Sequence, residues 1–263
     1  MKIAVIQLGY DDTESVPERT ERVAELVRAQ AGHDLVVLPE LWPMGGFDYR
    51  AWDEKSESVE GSVRAAIAAA ARDIGAMVHA GSIVERPGET GPEGKELWNT
   101  SLVLGADGKL LETYRKIHRF GFAAGEPALM EAGEDLRFVD LPNGMKAGLS
   151  TCYDLRFPEL YRAQLDSDAT AFVIPAAWPM ARVEHWRVLL RARAMENQCL
   201  VVACNTAGTH ARAEMGGHSA VVGPLGEVLA EAGSDEEILS VEVADDLVAT
   251  ARETFPVLDD RRL

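Results

Sequence analysis

The chain has 263 residues, 47% of them hydrophobic and 26% charged, which is ordinary globular composition and excludes a disordered or collagen-like chain. Lys and Arg total 26 against 43 Asp and Glu, a net charge of −17 that repels phosphate backbones and anionic lipid. Nucleic-acid and membrane partners are therefore not expected. Three cysteines, Cys152, Cys199 and Cys204, are too few and too odd in number for a disulfide scaffold, and a reducing, cytoplasmic setting fits them best. The apolar run from Ile3 to Leu8 is too short for a signal-peptide core, and no segment reaches the roughly 20 apolar residues that span a bilayer.

In chain order, residues 2–8 (KIAVIQL) read as a buried strand rich in β-branched side chains. A helix follows from Pro17 to Gln30 with Val23, Leu26 and Val27 on one face. Asp34 to Pro39 (DLVVLP) is a second buried strand ending in Glu40, and 61–75 is an Ala-rich helix closed by Gly75. Met77 to Val84 is a strand, and 86–95 (RPGETGPEGK) a polar loop. Residues 97–115 and 136–150 each read as a hairpin, with turns at 106–108 and 142–144. A helix starts at Phe157-Pro158, Phe172 to Pro175 is a strand, and Arg182 to Asn197 is a helix. Strands at 200–205, 219–223 and 238–243 complete the pattern. The tail from about Asp245 shows no core pattern. Interleaved strands and helices with added hairpins predict a layered α/β sandwich with mixed sheets, and nothing marks an internal domain boundary.

Three chemically complementary residues each sit just past a strand: Glu40, Lys116 and Cys152. A carboxylate, an ammonium and a thiol can serve as general base, oxyanion stabiliser and nucleophile. Glu40 stands beside Leu41 and Trp42, where partial desolvation strengthens a base. Alternation sends Arg115 and Lys116 to opposite faces, so at most one points inward. Cys152 lies before a helix, whose dipole would favour its thiolate. Equally, a free cysteine can be a small buried hydrophobe, which is the reading preferred for Cys199 and Cys204. The six histidines form no HExxH pattern, and a zinc site of Cys199, Cys204, His210 and His218 has awkward spacing, so no metal is expected.

The stretches LPELWP (38–43), YRKIH (114–118) and GLSTCYDLRFPELYR (148–162) resemble the three signature blocks of the nitrilase superfamily, the carbon–nitrogen hydrolases. PAAWP (175–179), HWRVLLRARAMENQ (185–198) and GGHSAVVGPLGEVLAE (216–231) extend the resemblance over Lys2 to Val243. It implies one domain over 1–263 with a four-layer αββα sandwich, usually dimeric or a higher even oligomer, with the 245–263 tail lying on the partner. It implies Glu40 as general base, Lys116 as oxyanion stabiliser and Cys152 as nucleophile, without metal or organic cofactor. A second glutamate of the family matches Glu126 in GEPALMEAG, seven residues before Gly133, with Glu131 as its rival. Tyr153 would lend a backbone N–H to the oxyanion, and Trp178 would line the pocket.

The context CYDLRFPEL is most similar to the omega-amidase and deaminated-glutathione amidase branches. This implies hydrolysis of a small carboxamide, one bearing a carboxylate, through a cysteine thioester with release of ammonia. N-carbamoyl hydrolysis, acyl transfer to an amine, and a silent scaffold on the same fold are the alternatives. Arg156 either pairs with Glu159 to hold its loop, the preferred reading, or contacts substrate. Lys116, Arg119, Arg156 and Arg182 could together make a positive pocket mouth in this acidic protein.

Overall fold

Strands such as Ile3–Ile6 and Leu200–Cys204 are apolar at every position, so both faces of their sheets must be covered. The computed structural model describes residues 1–122 and 124–262 and shows how this is done. The first half runs β1 (Lys2–Gln7), α1 (Val16–Arg28), β2 (Leu35–Val37), the short α2 (Trp52–Lys55), α3 (Ser62–Ile74), β3 (Met77–Glu85), β4 (Trp98–Leu104) and β5 (Leu110–Arg115). The second half runs α4 (Glu126–Leu129), β6 (Phe138–Asp140), β7 (Lys146–Leu149), a 3-10 turn (Cys152–Arg156), α5 (Pro158–Asp166), β8 (Ala171–Pro175), α6 (Val183–Asn197) and β9 (Leu200–Cys204). A small hairpin β10 (Thr209–His210) and β11 (Ala213–Glu214) precedes β12 (Ala220–Val222), β13 (Val228–Glu231), β14 (Glu237–Glu242) and α7 (Leu247–Thr254).

Two six-stranded mixed sheets result, in the orders β14-β1-β2-β3-β4-β5 and β13-β12-β9-β8-β7-β6. Each has three parallel strands at its centre, β1–β2–β3 and β7–β8–β9, flanked by antiparallel neighbours. Period-two alternation sorts each strand between two cores. Ile3 and Val5 join Val173, Leu200 and Val202 between the sheets. Ala4 and Ile6 instead meet Val23 and Val27 of α1 and Ile67 of α3. Phe172 and Ile174 meet Leu160 of α5 and Leu190 of α6. The order of layers is therefore helix, sheet, sheet, helix, the αββα sandwich of the nitrilase type. Each such buried aliphatic side chain contributes about 1.5–3 kcal/mol relative to leaving it in water.

Local signals set the helix ends. Ser15 caps α1 in a reciprocal capping box with Glu18, and Gly75 ends α3 in the left-handed conformation. The tail departs from expectation. α7 buries Val248 in the inter-sheet core and also buries Ala251, and Arg252 Nε donates to the Gln198 carbonyl at 3.2 Å. Val248 and Ala251, three positions apart, with Leu247 packed beside them, seat this short helix, too brief a pattern to read from sequence. Phe255 and Val257 beyond it stay exposed. The last tail residue, Leu263, lies outside the described residues.

Candidate active site

Glu40 follows β2 by three residues, Lys116 follows β5 directly, and Cys152 follows β7 by three residues. Two of these turns adopt left-handed backbone at residues other than glycine: Leu41, beside Glu40, has φ 46°, and Cys152 has φ 47°. Such conformations cost on the order of 1–3 kcal/mol and persist where surrounding structure enforces them. Gly81 of β3 shows that enforcement, since a Cβ there would stand 1.9 Å from the Pro39 carbonyl oxygen. The segment entering Glu40 thus lies directly on β3.

The structure brings Glu40, Lys116, Glu126 and Cys152 together, all buried. Lys116 Nζ donates to Glu40 Oε1 at 2.7 Å and to Glu126 Oε2 and Oε1 at 2.8 and 3.0 Å. Glu40 Oε2 accepts from the Ala177 N–H at 2.8 Å. Glu126 also accepts from the Phe120 N–H. Burial opposes the charge on Lys116, but the Glu126 and Glu40 carboxylates outweigh it and hold the lysine pKa well above its ordinary value. Burial raises the pKa of Glu126, against the lowering effect of Lys116. Glu131, the rival, is elsewhere: its Oε1 accepts from the Glu93 and Lys95 N–H groups and braces the 86–95 loop. Arg115 points to the opposite side from Lys116, where it pairs with Glu85.

The helix expected to start at Phe157-Pro158 does so, but it does not follow Cys152 directly. The chain makes a five-residue 3-10 turn first, and α5 begins at Pro158. Burial and then the Glu40 charge push the Cys152 thiol well above its ordinary pKa, only partly offset by Lys116. The resting group is a thiol beside a carboxylate. Its turn is tied to the lysine segment by the fully buried Asp154. Asp154 Oδ2 accepts from Tyr114 Oη at 2.7 Å and the Thr151 N–H at 2.8 Å. Asp154 Oδ1 accepts from the His118 N–H at 2.9 Å. The His118 ring stacks on Phe157 at 3.8 Å between centroids.

Beside Cys152 lies a narrow cleft lined by Phe47, Phe120, Tyr153, Arg156, Trp178 and Arg182. Tyr153 and Trp178 are both among its lining residues. Arg156 does not pair with Glu159: its guanidinium lies 4.6 Å over the Trp178 ring and 3.3 Å from His185 Nδ1. Arg182 lies 5.3 Å from the Phe120 ring centre. Arg119 is not part of the mouth, because it is bound by Glu93 and the Met130 carbonyl. Among the described residues no group of three His, Cys, Asp or Glu is placed to hold a metal ion.

The Carbon-nitrogen hydrolase family model matches residues 2–253. The chain belongs to the carbon–nitrogen hydrolase family. It is 44% identical to the 2-oxoglutaramate amidase of Paenarthrobacter nicotinovorans over 266 aligned residues, covering all of this chain and 90% of that protein. It is 35% identical to the 2-oxoglutaramate amidase of Bacillus subtilis, covering all of this chain and 98% of that protein. A crystal structure of a CN-hydrolase superfamily protein from Xanthomonas campestris, which carries an arsenic adduct in its active site, superposes with a TM-score of 0.89. The identity there is 31%, over 100% of this chain and 97% of that one. This carbon–nitrogen hydrolase is an enzyme of the amidase type. Sequence reasoning missed Asn99, whose amide touches both glutamates. The available signal was the run Asn99-Thr100-Ser101, three polar residues inside an otherwise apolar strand.

Proposed function

We propose that this enzyme hydrolyses the terminal amide of a short acid that carries a carboxylate at its other end, a 2-oxo ω-amide acid such as 2-oxoglutaramate. In this reading Glu40 takes the Cys152 proton as the sulfur attacks the amide carbon. Lys116 and the Tyr153 N–H hold the oxyanion. The C–N bond breaks, Glu40 passes the proton to the leaving ammonia, and an acyl thioester remains. Water attacks that thioester, losing a proton to Glu40, and the thiol returns as the acid departs. Glu126 keeps Lys116 in place throughout. A thiol of raised pKa fits this sequence, because the adjacent carboxylate receives the proton during attack.

The observation that carries the substrate assignment is the pair Arg156 and Arg182. In a protein with 43 acidic residues, neither forms an ion pair with a carboxylate among the described residues, and both face the cleft beside Cys152. Burial, followed by Arg182 among the opposing influences, lowers the pKa of Arg156, so a bound anion would relieve it. The names of the two amidase relatives support the same class. Charge-assisted contacts of this kind contribute about 1.5–3 kcal/mol, or roughly 10- to 100-fold in kcat/KM. Comparing glutaramate with its methyl ester tests this: the acid should be preferred by that factor, and the preference should collapse in Arg156→Gln or Arg182→Gln. Equal amide hydrolysis of acid and ester contradicts the anionic substrate and leaves the amidase intact.

The exposed apolar side chains Val188 and Met195 on α6 and Phe255 after α7 support assembly as a dimer across that face. Sedimentation at micromolar protein tests it, and a pure monomer contradicts it. Three unpaired cysteines support a reducing, cytoplasmic compartment.

A further inference from the structure

We infer that Asn99 is a positioning residue that holds Glu40 and Glu126 in place while Lys116 turns towards the oxyanion. The inference rests on the reading of Glu40 as proton acceptor. Asn99 lies on β4 and is 3% exposed. Its Nδ2 donates one hydrogen to Glu40 Oε1 at 2.8 Å and the other to Glu126 Oε1 at 2.7 Å. Lys116 Nζ reaches the same two oxygens at 2.7 and 3.0 Å. Two donors and two acceptors thus close a ring. The backbone N–H of Lys116 in turn donates to the Asn99 carbonyl at 2.9 Å, so Asn99 touches both carboxylates and the main chain of the lysine.

Chemistry fixes the amide orientation, because the flipped form would aim Oδ1 at two carboxylate oxygens. In the orientation seen, Oδ1 is buried and has no hydrogen-bond partner. Buried acceptors are normally paired. Fold stability alone does not favour this side chain here, which directs attention to what Nδ2 does.

In the resting site the Lys116 ammonium contacts three carboxylate oxygens, one of Glu40 and both of Glu126. An oxyanion drawn to the lysine competes with these carboxylates for the ammonium. A carboxylate that loses its partner in a buried site is free to rotate or to take up a proton. Asn99 supplies a second, neutral donor to the very oxygens the lysine shares. It keeps both carboxylates ionised and aimed without adding a charge that would compete for the substrate. Its hydrogen bond also lowers the pKa of Glu126, in the same direction. Ser101, two positions along β4 on the same face, lies 3.1 Å from Thr151 Oγ1 beside Cys152, so the strand also braces the nucleophile turn.

Asn99→Leu keeps the volume and removes the donors. Asn99→Asp keeps the shape and exchanges the donors for an acceptor. Both should lower kcat on glutaramate by roughly 10- to 100-fold, with KM little changed. The acid limb of the pH profile should move to higher pH, because a glutamate that loses this donor binds its proton more tightly. Thermal unfolding measured in parallel separates this from general loosening. If one variant fails to fold, the other carries the test. Wild-type kcat and an unmoved acid limb in a folded variant overturn the inference. So does a pH-independent loss of activity that follows the melting temperature alone. Glu40→Gln serves as the reference. Normal acylation in that variant removes the reading of Glu40 itself, whereas a crippled Glu40→Gln beside a normal Asn99→Leu removes only the role of Asn99.

Discussion

Cys152 and Cys204 both belong to the second sheet region, one just past β7 and the other closing β9. Both are buried, and burial pushes both thiols well above their ordinary pKa. Both shift in the same direction, with burial the leading cause. They differ in backbone and company. Cys152 sits at φ 47° in a turn beside Glu40 and Lys116. Cys204 sits in a regular strand in the inter-sheet core, where its Sγ donates to the Ile6 carbonyl at 3.1 Å. On the mechanism proposed here, a buried thiol becomes a nucleophile through a proton acceptor held beside it, not through a low resting pKa.

The sharpest way to break the comparison is to remove each sulfur. Cys152→Ala should abolish ammonia release, whereas Cys204→Ala should turn over at near the wild-type rate. Turnover by Cys152→Ala would end the account of the nucleophile. Next, Glu40→Gln should make Cys152 resemble Cys204: a buried thiol without an acceptor. Its acylation rate in a single turnover should fall by about 100-fold or more, the usual scale for a general base, with circular dichroism unchanged. Lys116→Ala should lower acylation by a similar factor through loss of the oxyanion donor.

Much of this contrast was legible in the sequence. Unbroken apolar runs at 3–6, 35–38 and 200–204 identify strands buried on both faces, and the layered sandwich follows from them. The three reactive residues stood out because each sits just past a strand and their chemistries complement one another. What stayed hidden depends on contacts between distant segments. Asn99 reads as one polar residue in a strand until Glu40 and Glu126 are brought to it across 59 and 27 positions. The Arg156–Glu159 pair was a reasonable local expectation, but the ring of Trp178 and His185 claim the guanidinium from another segment. The helix start at Phe157-Pro158 was legible, whereas the five-residue 3-10 turn that separates it from Cys152 was not.

Smaller effects sharpen the comparison further. A thiol whose folded pKa is raised contributes stability that is complete below its unfolded pKa, near 8.5, and lost as pH rises above it. The wild type should therefore lose stability on moving to alkaline pH more steeply than Cys204→Ala, by up to about 1.4 kcal/mol per pH unit for this one group. Denaturant titrations at pH 8 and pH 10 measure the difference, and parallel losses would contradict the burial argument. At neutral pH, Cys204→Ala should cost only about 1–2 kcal/mol, the ordinary scale for a buried substitution.

The central claim is that Cys152 rests as a thiol and is activated by Glu40 during attack. Thiolate absorbance near 240 nm, taken as wild type minus Cys152→Ala across a pH titration of the free enzyme, tests it most directly. The account predicts no step in the difference signal between pH 5 and pH 8.5. A step in that range would show a resting thiolate, and with it a nucleophile that does not need the carboxylate beside it.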